Sequence, residues 1–325
     1  MAEIVRLDPA YVNKIWGGRR LGTPNASGEN IGEAWVLSAI PGHESVIATG
    51  PYAGETFPSY LKHADAGTNA SVMDAFPTLI KFIDAAAPLS IQVHPDDAYA
   101  HAHGMPYGKT EMWVILAADP GAFLYLGLKE KMSPDQFAAA INAGAIEGKF
   151  NKIPVKPGEV YFIKAGLLHA IGGGILLAEV QQSSDTTYRV YDFGRLGADG
   201  KPRELHIAQA KEVASLEPPE TFGALEHEKT IPGGTRQLLG KGTCFATERY
   251  VLSEKGEFSV TKKSYVAIVM LDGSAELGLG AQKLTATKGQ TFFIPAQEAV
   301  VSVTPSNRGC TFLRVTVPDS DGSIS

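Results

Sequence analysis

Apolar positions along the chain gather into short runs: 34–37, 114–116, 160–163 and 175–177, then 265–271, 291–294 and 311–317 toward the C-terminus. They are rich in β-branched and aromatic residues and bounded by glycine, proline or polar turn residues, a pattern that predicts strands. Many short strands separated by turns predict a mainly β chain, built as a sandwich or barrel rather than a parallel α/β sheet. No glycine-rich phosphate loop stands between a strand and a helix, which sets the nucleotide folds aside. Helical patterning enters as interruptions. Ser133 is followed by Pro134 at the first helical position and by Gln136, a capping box; Met132 and Phe137 can close a hydrophobic staple. Phe137 and Ile141 then share a face, and Gly144 ends the segment. Weaker helical patterns cover 58–63, 96–103 and 204–213.

A stretch rich in proline, glycine and charge, from Glu217-Pro218-Pro219-Glu220 to Gly233-Gly234, predicts a boundary, with strands resuming beyond Thr243. An internal repeat spans it. Lys156-Pro157-Gly158-Glu159-Val160-Tyr161-Phe162-Ile163-Lys164-Ala165 is similar to Lys288-Gly289-Gln290-Thr291-Phe292-Phe293-Ile294-Pro295-Ala296. Both resemble the second motif of the cupin superfamily, a glycine turn and strand followed by a loop that carries a histidine. The first copy keeps that histidine, His169, although Lys164 stands in the usual proline position; the second has Val300 at about that place. The expected fold is therefore a cupin jelly roll with two cupin-like units and helical insertions. Residues 1–225 form the metal-competent unit and 240–325 the degenerate one.

Composition narrows the class. Hydrophobic residues are 44% and charged residues 20% of the chain, which argues against disorder. Lys+Arg 29 against Asp+Glu 35 gives a net charge of −6 with no basic run, so neither nucleic acid nor an anionic membrane is the expected partner. An anionic ligand must be gripped locally, by a few Lys or Arg. Glu3 and Arg6 interrupt the place of a signal-peptide core, and no apolar run is long enough to span a membrane. Cys244 and Cys310 are too few for a disulfide framework. The expectation is a cytoplasmic protein with a small-molecule substrate.

Two constellations can carry chemistry. Gln92 and His94 lie two apart on a strand-like segment, so both side chains share a face. With Glu111 at the start of another strand and His169 on the motif turn, they offer two imidazoles, a carboxylate and an amide oxygen. That donor set suits Zn²⁺ and leaves room for a water or substrate ligand. Taken singly, each has a structural reading: a histidine bonded to backbone, a rim glutamate, a turn histidine. His101 and His103 compete as a pair, but two residues apart on a helix they do not face each other, and they read as solvated groups near a helix C-terminus. The second constellation is 179–195. Arg189 and Arg195 can grip an anion and Asp185 can orient an arginine or move a proton, with a salt-bridged strand and turn as the equal alternative. Lys109 adds a cation beside the metal candidates.

Lys14-Ile15-Trp16-Gly17-Gly18, Gly32-Glu33-Ala34-Trp35-Val36-Leu37-Ser38 and Phe76-Pro77-Thr78-Leu79-Ile80-Lys81 are followed in order by Ser90 to Asp97, Gly108 to Glu111, Gly166 to Ala170, Asp185 to Asp192 and Pro202 to His206. This series resembles the type I mannose-6-phosphate isomerases (phosphomannose isomerases) of the short bacterial kind, over roughly the first two thirds of the chain. The resemblance implies one Zn²⁺ per chain, held by Gln92, His94, Glu111 and His169, or by three protein ligands plus water, since short members do not all use glutamine. It implies Arg189 as the active-site arginine, with Asp185 and Lys109 in the same pocket. The implied reaction interconverts mannose 6-phosphate and fructose 6-phosphate through a cis-enediol. Asp185, Lys109 and a metal-bound water are alternative bases; Lys109, Arg189 and Arg195 are candidates for the phosphate, and Ser90 for a hydrogen bond. Longer members carry a histidine where Gly108 stands, so no role for that residue transfers. The alternatives are a cupin metalloenzyme acting on another substrate, such as a different phosphosugar, and a non-catalytic sugar-binding cupin; monomer and homodimer both stay open.

Overall fold

Antiparallel strands dominate the computed structural model, which describes residues 3–22, 30–197, 200–219 and 223–324. The chain divides into two compact units, each discontinuous in sequence. Unit 1 comprises Met1–Ala10, Trp35–Ile80 and Ala224–Ser325, and unit 2 comprises Tyr11–Ala34 and Lys81–Gly223. Residues 1–10 and 35–80, which the sequence reading grouped with the catalytic domain, thus fall in unit 1. The reason is strand pairing: Val5–Asp8 pairs with both Thr291–Ile294 and Val46–Ile47. Residues 220–222 of the expected boundary lie outside the described residues.

Unit 1 carries a ten-stranded sheet. Its spatial order is Lys229–Ile231, Gly234–Lys241, Ala246–Leu252, Ala299–Thr316, Val266–Leu279, Thr291–Ile294, Val5–Asp8 and Val46–Ile47. Gly256–Val260 pairs with Ala299–Thr316, and Gln282–Thr287 with Val266–Leu279. The two long strands pair from Ala267↔Val315 to Leu279↔Val301 with two register shifts, which let one ladder bend through the sheet. Their inward residues, Ile268, Leu277, Val303 and Phe312 among them, are fully buried in one apolar cluster.

Unit 2 contains a five-stranded sheet, in order Tyr188–Tyr191, Ile91–Val93, His169–Ile171, Phe123–Leu128 and Phe150–Pro154. Val160–Ile163, Glu111–Ala118 and Ile175–Gln182 belong to a six-stranded sheet that continues through Thr78–Ala85, Ala10–Gly18 and Ile31–Leu37. Leu124 and Leu126 of the first sheet share a buried cluster with Trp113, Ile115 and Leu177 of the second, the face-to-face packing of a sandwich. A further cluster joins Ile91, Val93 and Tyr125 to Phe137 and Ile141 of helix Pro134–Asn142.

Both copies of the repeat form the expected turn and strand. Gly158 (φ 91°) precedes Val160–Ile163, and Gly289 (φ 84°) precedes Thr291–Ile294; positive φ at both explains the glycine. The capping box at Ser133 is present: its hydroxyl accepts from Gln136 N at 3.2 Å, and Gln136 Oε1 accepts from Ser133 N at 2.8 Å. The weaker helices are shorter than their patterns, at Phe57–Tyr60, Asp97–Ala102 and Ile207–Val213. The last starts three residues late because His206 N–H donates to the Arg189 carbonyl at 2.8 Å, which holds the segment before it against a strand. No helix of the described residues is long and apolar enough to cross a membrane.

Losing an N-cap hydroxyl costs about 1 kcal/mol. Ser133→Ala should therefore lower unfolding stability by about that amount in denaturant titration while leaving catalytic turnover unchanged.

Candidate metal centre and active site

Three strands of unit 2 bring the metal candidates together. Gln92 pairs in register with His169 on one side and with Arg189 on the other, so two metal candidates and an arginine sit side by side across the five-stranded sheet. Glu111 enters from the six-stranded sheet, where it pairs with Ile163 and Gln181. His94, Glu111 and His169 are all buried, and their ligand atoms lie within 4.8 Å of one another. Glu111 Oε2 is 3.6 Å from His94 Nε2, and Glu111 Oε1 is 3.3 Å from His169 Nε2. Gln92 Nε2 lies 3.5 Å and 3.4 Å from the same two imidazole nitrogens. A half-turn of that amide would present its oxygen instead.

The histidine tautomers follow from their outer nitrogens. His94 Nδ1 lies 2.8 Å from the Thr186 carbonyl and His169 Nδ1 lies 2.8 Å from the Leu167 carbonyl. A carbonyl can only accept, so each Nδ1 carries the proton and each Nε2 turns a lone pair toward the shared centre. Burial, then Lys109, drives the His94 pKa well below its usual value; burial likewise drives that of His169 down to about 4. Both imidazoles are neutral at pH 7, as metal ligation requires. Both carboxylate oxygens of Glu111 are buried; Oε2 has the Lys109 ammonium at 3.0 Å, and Oε1 has no hydrogen-bond donor among the described residues. A dry carboxylate beside two preset lone pairs fits a divalent cation, and the nitrogen–oxygen donor set without sulfur fits zinc.

Lys109 lines one wall, its Nζ 3.0 Å from Glu111 Oε2 and 3.3 Å from His94 Nε2. Burial pulls its pKa down, but Glu111 and Glu179 outweigh that and hold the ammonium protonated. Beside the centre is a cavity of about 260 Å³, lined by Ser90, Gln92, Lys109, Asp185 and Arg189 of the sequence-derived set. His101 and His103 are elsewhere, bonded to backbone carbonyls at the end of helix Asp97–Ala102, as expected. Arg195 does not line this cavity; its guanidinium is held by Asp192 and the Pro88 carbonyl. Arg203, also bonded to Asp192, lines it instead.

Three buried charges of the cavity escaped sequence reasoning as functional groups. Lys81 Nζ is 3.6 Å from Glu33 Oε2, 3.9 Å from Glu179 Oε1 and 3.9 Å from Asp185 Oδ1. Glu179 Oε2 accepts from Trp113 Nε1 at 2.7 Å, and burial together with Glu111 raises its pKa. The detectable sign was a lysine or glutamate inside an otherwise apolar strand, as at Lys81 in the fully buried Thr78–Ala85 and Glu33 in Ile31–Leu37.

The model of the phosphomannose isomerase type I catalytic domain matches residues 4–121, and that of the mannose-6-phosphate isomerase cupin domain matches residues 237–311. A mannose-6-phosphate isomerase of Streptococcus mutans is 36% identical over 299 residues, 91% of this chain and 93% of its own. The chain belongs to the type I phosphomannose isomerase family. The solved mannose 6-phosphate isomerase of Bacillus subtilis superimposes with a TM-score of 0.86 at 32% identity, over 97% of this chain and 99% of its own. A putative mannosephosphate isomerase of Archaeoglobus fulgidus shares the fold at 19% identity, with a TM-score of 0.75 and 97% of each chain covered.

Within the family frame, Gly108 has a local explanation. A Cβ there would meet the Asp96 carbonyl carbon at 2.4 Å and the Pro95 oxygen at 2.6 Å, so backbone fills the space. Gly108 N–H donates to Asp97 Oδ1 and Lys109 N–H to the Pro95 carbonyl, a tight approach that aims Lys109 at the centre.

The buried imidazoles make stability depend on pH in one direction. Their folded pKa values are depressed, so below about 6.5 the unfolded chain binds protons that the folded chain refuses, down to about 4 for His169. Stability is complete above that window and falls as pH drops through it. Metal-stripped protein should lose melting temperature between pH 7 and pH 5, and His169→Gln should flatten the slope; calorimetry at stepped pH measures both.

Proposed function

We propose that the chain is a zinc-dependent aldose–ketose isomerase that interconverts mannose 6-phosphate and fructose 6-phosphate through a cis-enediol. The observation that carries the proposal is the buried His94–Glu111–His169 cluster opening onto a small cavity lined by Asp185, Lys109 and Arg189. Bound zinc would supply a Lewis acid for the oxygens on C1 and C2 of the sugar.

The protein's own groups supply the rest. Isomerisation removes a proton from C2 of the open-chain aldose and returns one to C1, while a proton passes between the two oxygens. Asp185 is the base this geometry favours, because its side chain is 57% exposed, lies in the cavity and is set 3.9 Å from the Lys81 ammonium. Lys109 is held protonated by Glu111 and Glu179, so it serves as a hydrogen-bond donor to developing negative oxygen rather than as the base. Glu179 is withdrawn from that role by its bond to Trp113. Arg189 is anchored through Nη1 to the Glu204 carbonyl at 2.9 Å, and its buried Nε–H donates to no protein acceptor among the described residues. It is positioned to stabilise the enediolate. Arg189 and Arg203 together favour the phosphate, with Ser90 as a neutral donor nearby.

A coupled mannose-6-phosphate isomerase assay tests this reading. Chelation should abolish turnover, and Zn²⁺ should restore it at a stoichiometry near one per chain by metal analysis. Restoration by iron but not zinc, or binding of mannose 6-phosphate by metal-replete protein without product, would replace the proposal with another cupin metalloenzyme or a binding protein. Arg189→Ala should lower kcat by about 10²–10³-fold, as loss of an oxyanion donor does, while metal content stays unchanged; wild-type-like turnover removes Arg189 from the mechanism.

A further inference from the structure

Asp192 stands behind one wall of the cavity beside the metal candidates. Its side chain is buried and does not line that space. Arg203, which does line it, closes on Asp192 side-on, with Nε 2.7 Å from Oδ2 and Nη2 2.5 Å from Oδ1. Arg195 reaches the same Oδ1 through Nη2 at 2.5 Å, and its Nη1 donates to the Pro88 carbonyl. Pro88 directly precedes Leu89 and Ser90, both of which line the cavity. An unbroken chain of contacts thus runs from Arg203 through Asp192 and Arg195 to the segment that carries Ser90.

The backbone is bent to make these contacts. Tyr188–Tyr191 is an edge strand, and directly after it Arg195 N–H donates to the Asp192 carbonyl at 3.1 Å, closing a tight turn. The central residues of that turn, Phe193 and Gly194, have φ of 57° and 68°. Glycine adopts such values freely, whereas a residue as bulky as phenylalanine does so at a cost. Phe193 is the one non-glycine residue with positive φ among those described. Its ring packs against Tyr191 and Tyr125, and the Arg195 guanidinium lies over it, 5.4 Å from the centroid. Strain held in place by its surroundings is a feature of working sites. Here it folds Arg195 back onto Asp192.

The segment that brings Arg203 is pinned to the same edge strand. Arg189 N–H donates to His206 Nδ1 at 3.1 Å, and His206 N–H donates to the Arg189 carbonyl at 2.8 Å. Arg203 is therefore held by Asp192 at its guanidinium and by His206 three residues along its backbone. Its Nε and Nη2 are spent on Asp192, while Nη1 has no acceptor among the described residues.

We propose that Asp192 is a positioning residue for the substrate: it holds Arg203 from behind, so that the uncommitted Nη1 meets the phosphate of the sugar. The proposal rests on the isomerase reading above and deepens it. A side-on fork to a buried carboxylate fixes the guanidinium plane, and an arginine fixed in advance loses less freedom when the anion arrives. Mannitol 6-phosphate is the probe, because it has no carbonyl to isomerise, and mannitol is its uncharged counterpart. In titration calorimetry the metal-replete chain should bind the first and not the second. Asp192→Asn, which keeps the shape of the side chain and removes its charge, should weaken binding about tenfold, as loss of a charge-assisted contact does. Arg195→Gln, outside the cavity and at a side chain 21% exposed, should weaken it about threefold or more, and decides the matter if Asp192→Asn fails to fold. Arg203→Gln should weaken binding at least as much as Asp192→Asn. The double variant should stay within about twofold of Arg203→Gln alone, because Asp192 acts through Arg203; a merely structural carboxylate would add its own loss. In the coupled assay the KM for mannose 6-phosphate should rise in Asp192→Asn by more than kcat falls. Wild-type affinity in folded Asp192→Asn or in Arg195→Gln, additive losses in the double variant, or equal binding of mannitol overturns the proposal. A chain that binds mannitol 6-phosphate and loses affinity in Asp192→Asn, yet makes no fructose 6-phosphate, upholds it and overturns the isomerase reading alone.

Discussion

Glu111 is a carboxylate with no exposed surface, and its Oε1 has no hydrogen-bond donor among the described residues. A buried anion is costly unless it is paired, and what surrounds it follows from that cost. Lys109 comes within 3.0 Å as a buried ammonium, and two imidazoles turn their Nε2 lone pairs to the same point. The lone pairs would repel the carboxylate oxygens if nothing lay between them. A divalent cation resolves the conflict by giving two neutral nitrogens and one anion a common partner. The orienting carbonyls of Thr186 and Leu167, and the backbone packed against Gly108, hold this arrangement in advance of any metal.

The two halves of the cavity have different electrostatic tasks. On one side burial keeps His94 and His169 neutral, whereas on the other the charged side chains are grouped in opposite-sign pairs. Lys81 lies among Glu33, Glu179 and Asp185, and Arg189 has Arg203 and Asp192 as neighbours. Such paired charges leave little net field. A protein of net charge −6 can thereby gather Lys81, Lys109, Arg189 and Arg203 around one cavity.

The same glycine-turn-and-strand element serves both units and meets different chemistry in each. In unit 2 it leads into the loop that places His169 on a sheet beside Gln92. In unit 1 the corresponding loop brings the exposed Val300, and the buried charged residues are Glu248 and Arg314, paired with each other. One fold thus supports a His–Glu–His interior and a Glu–Arg one, because the strands fix only which positions point inward and leave their chemistry to the residues placed there.

Local sequence by itself determined the strands, the glycine turns at Gly158 and Gly289, the capped helix at Ser133 and the identity of the metal candidates. Each depends on neighbours in the chain: alternation, backbone freedom at φ > 0, or two side chains spaced to share one face. The ordered motifs also carried the family. Tertiary structure alone decided that Val5–Asp8 and Val46–Ile47 join the C-terminal sheet, since strand pairing between distant segments leaves no local trace. It also decided that Arg203 rather than Arg195 lines the cavity, because both arginines bind Asp192 and only their position on the folded loop separates them. Lys81, Glu33 and Glu179 were visible as charges in apolar strands, yet their convergence required three strands to be aligned across a sheet. Periodicity sets which way a side chain faces; what it faces is set by segments far away in sequence.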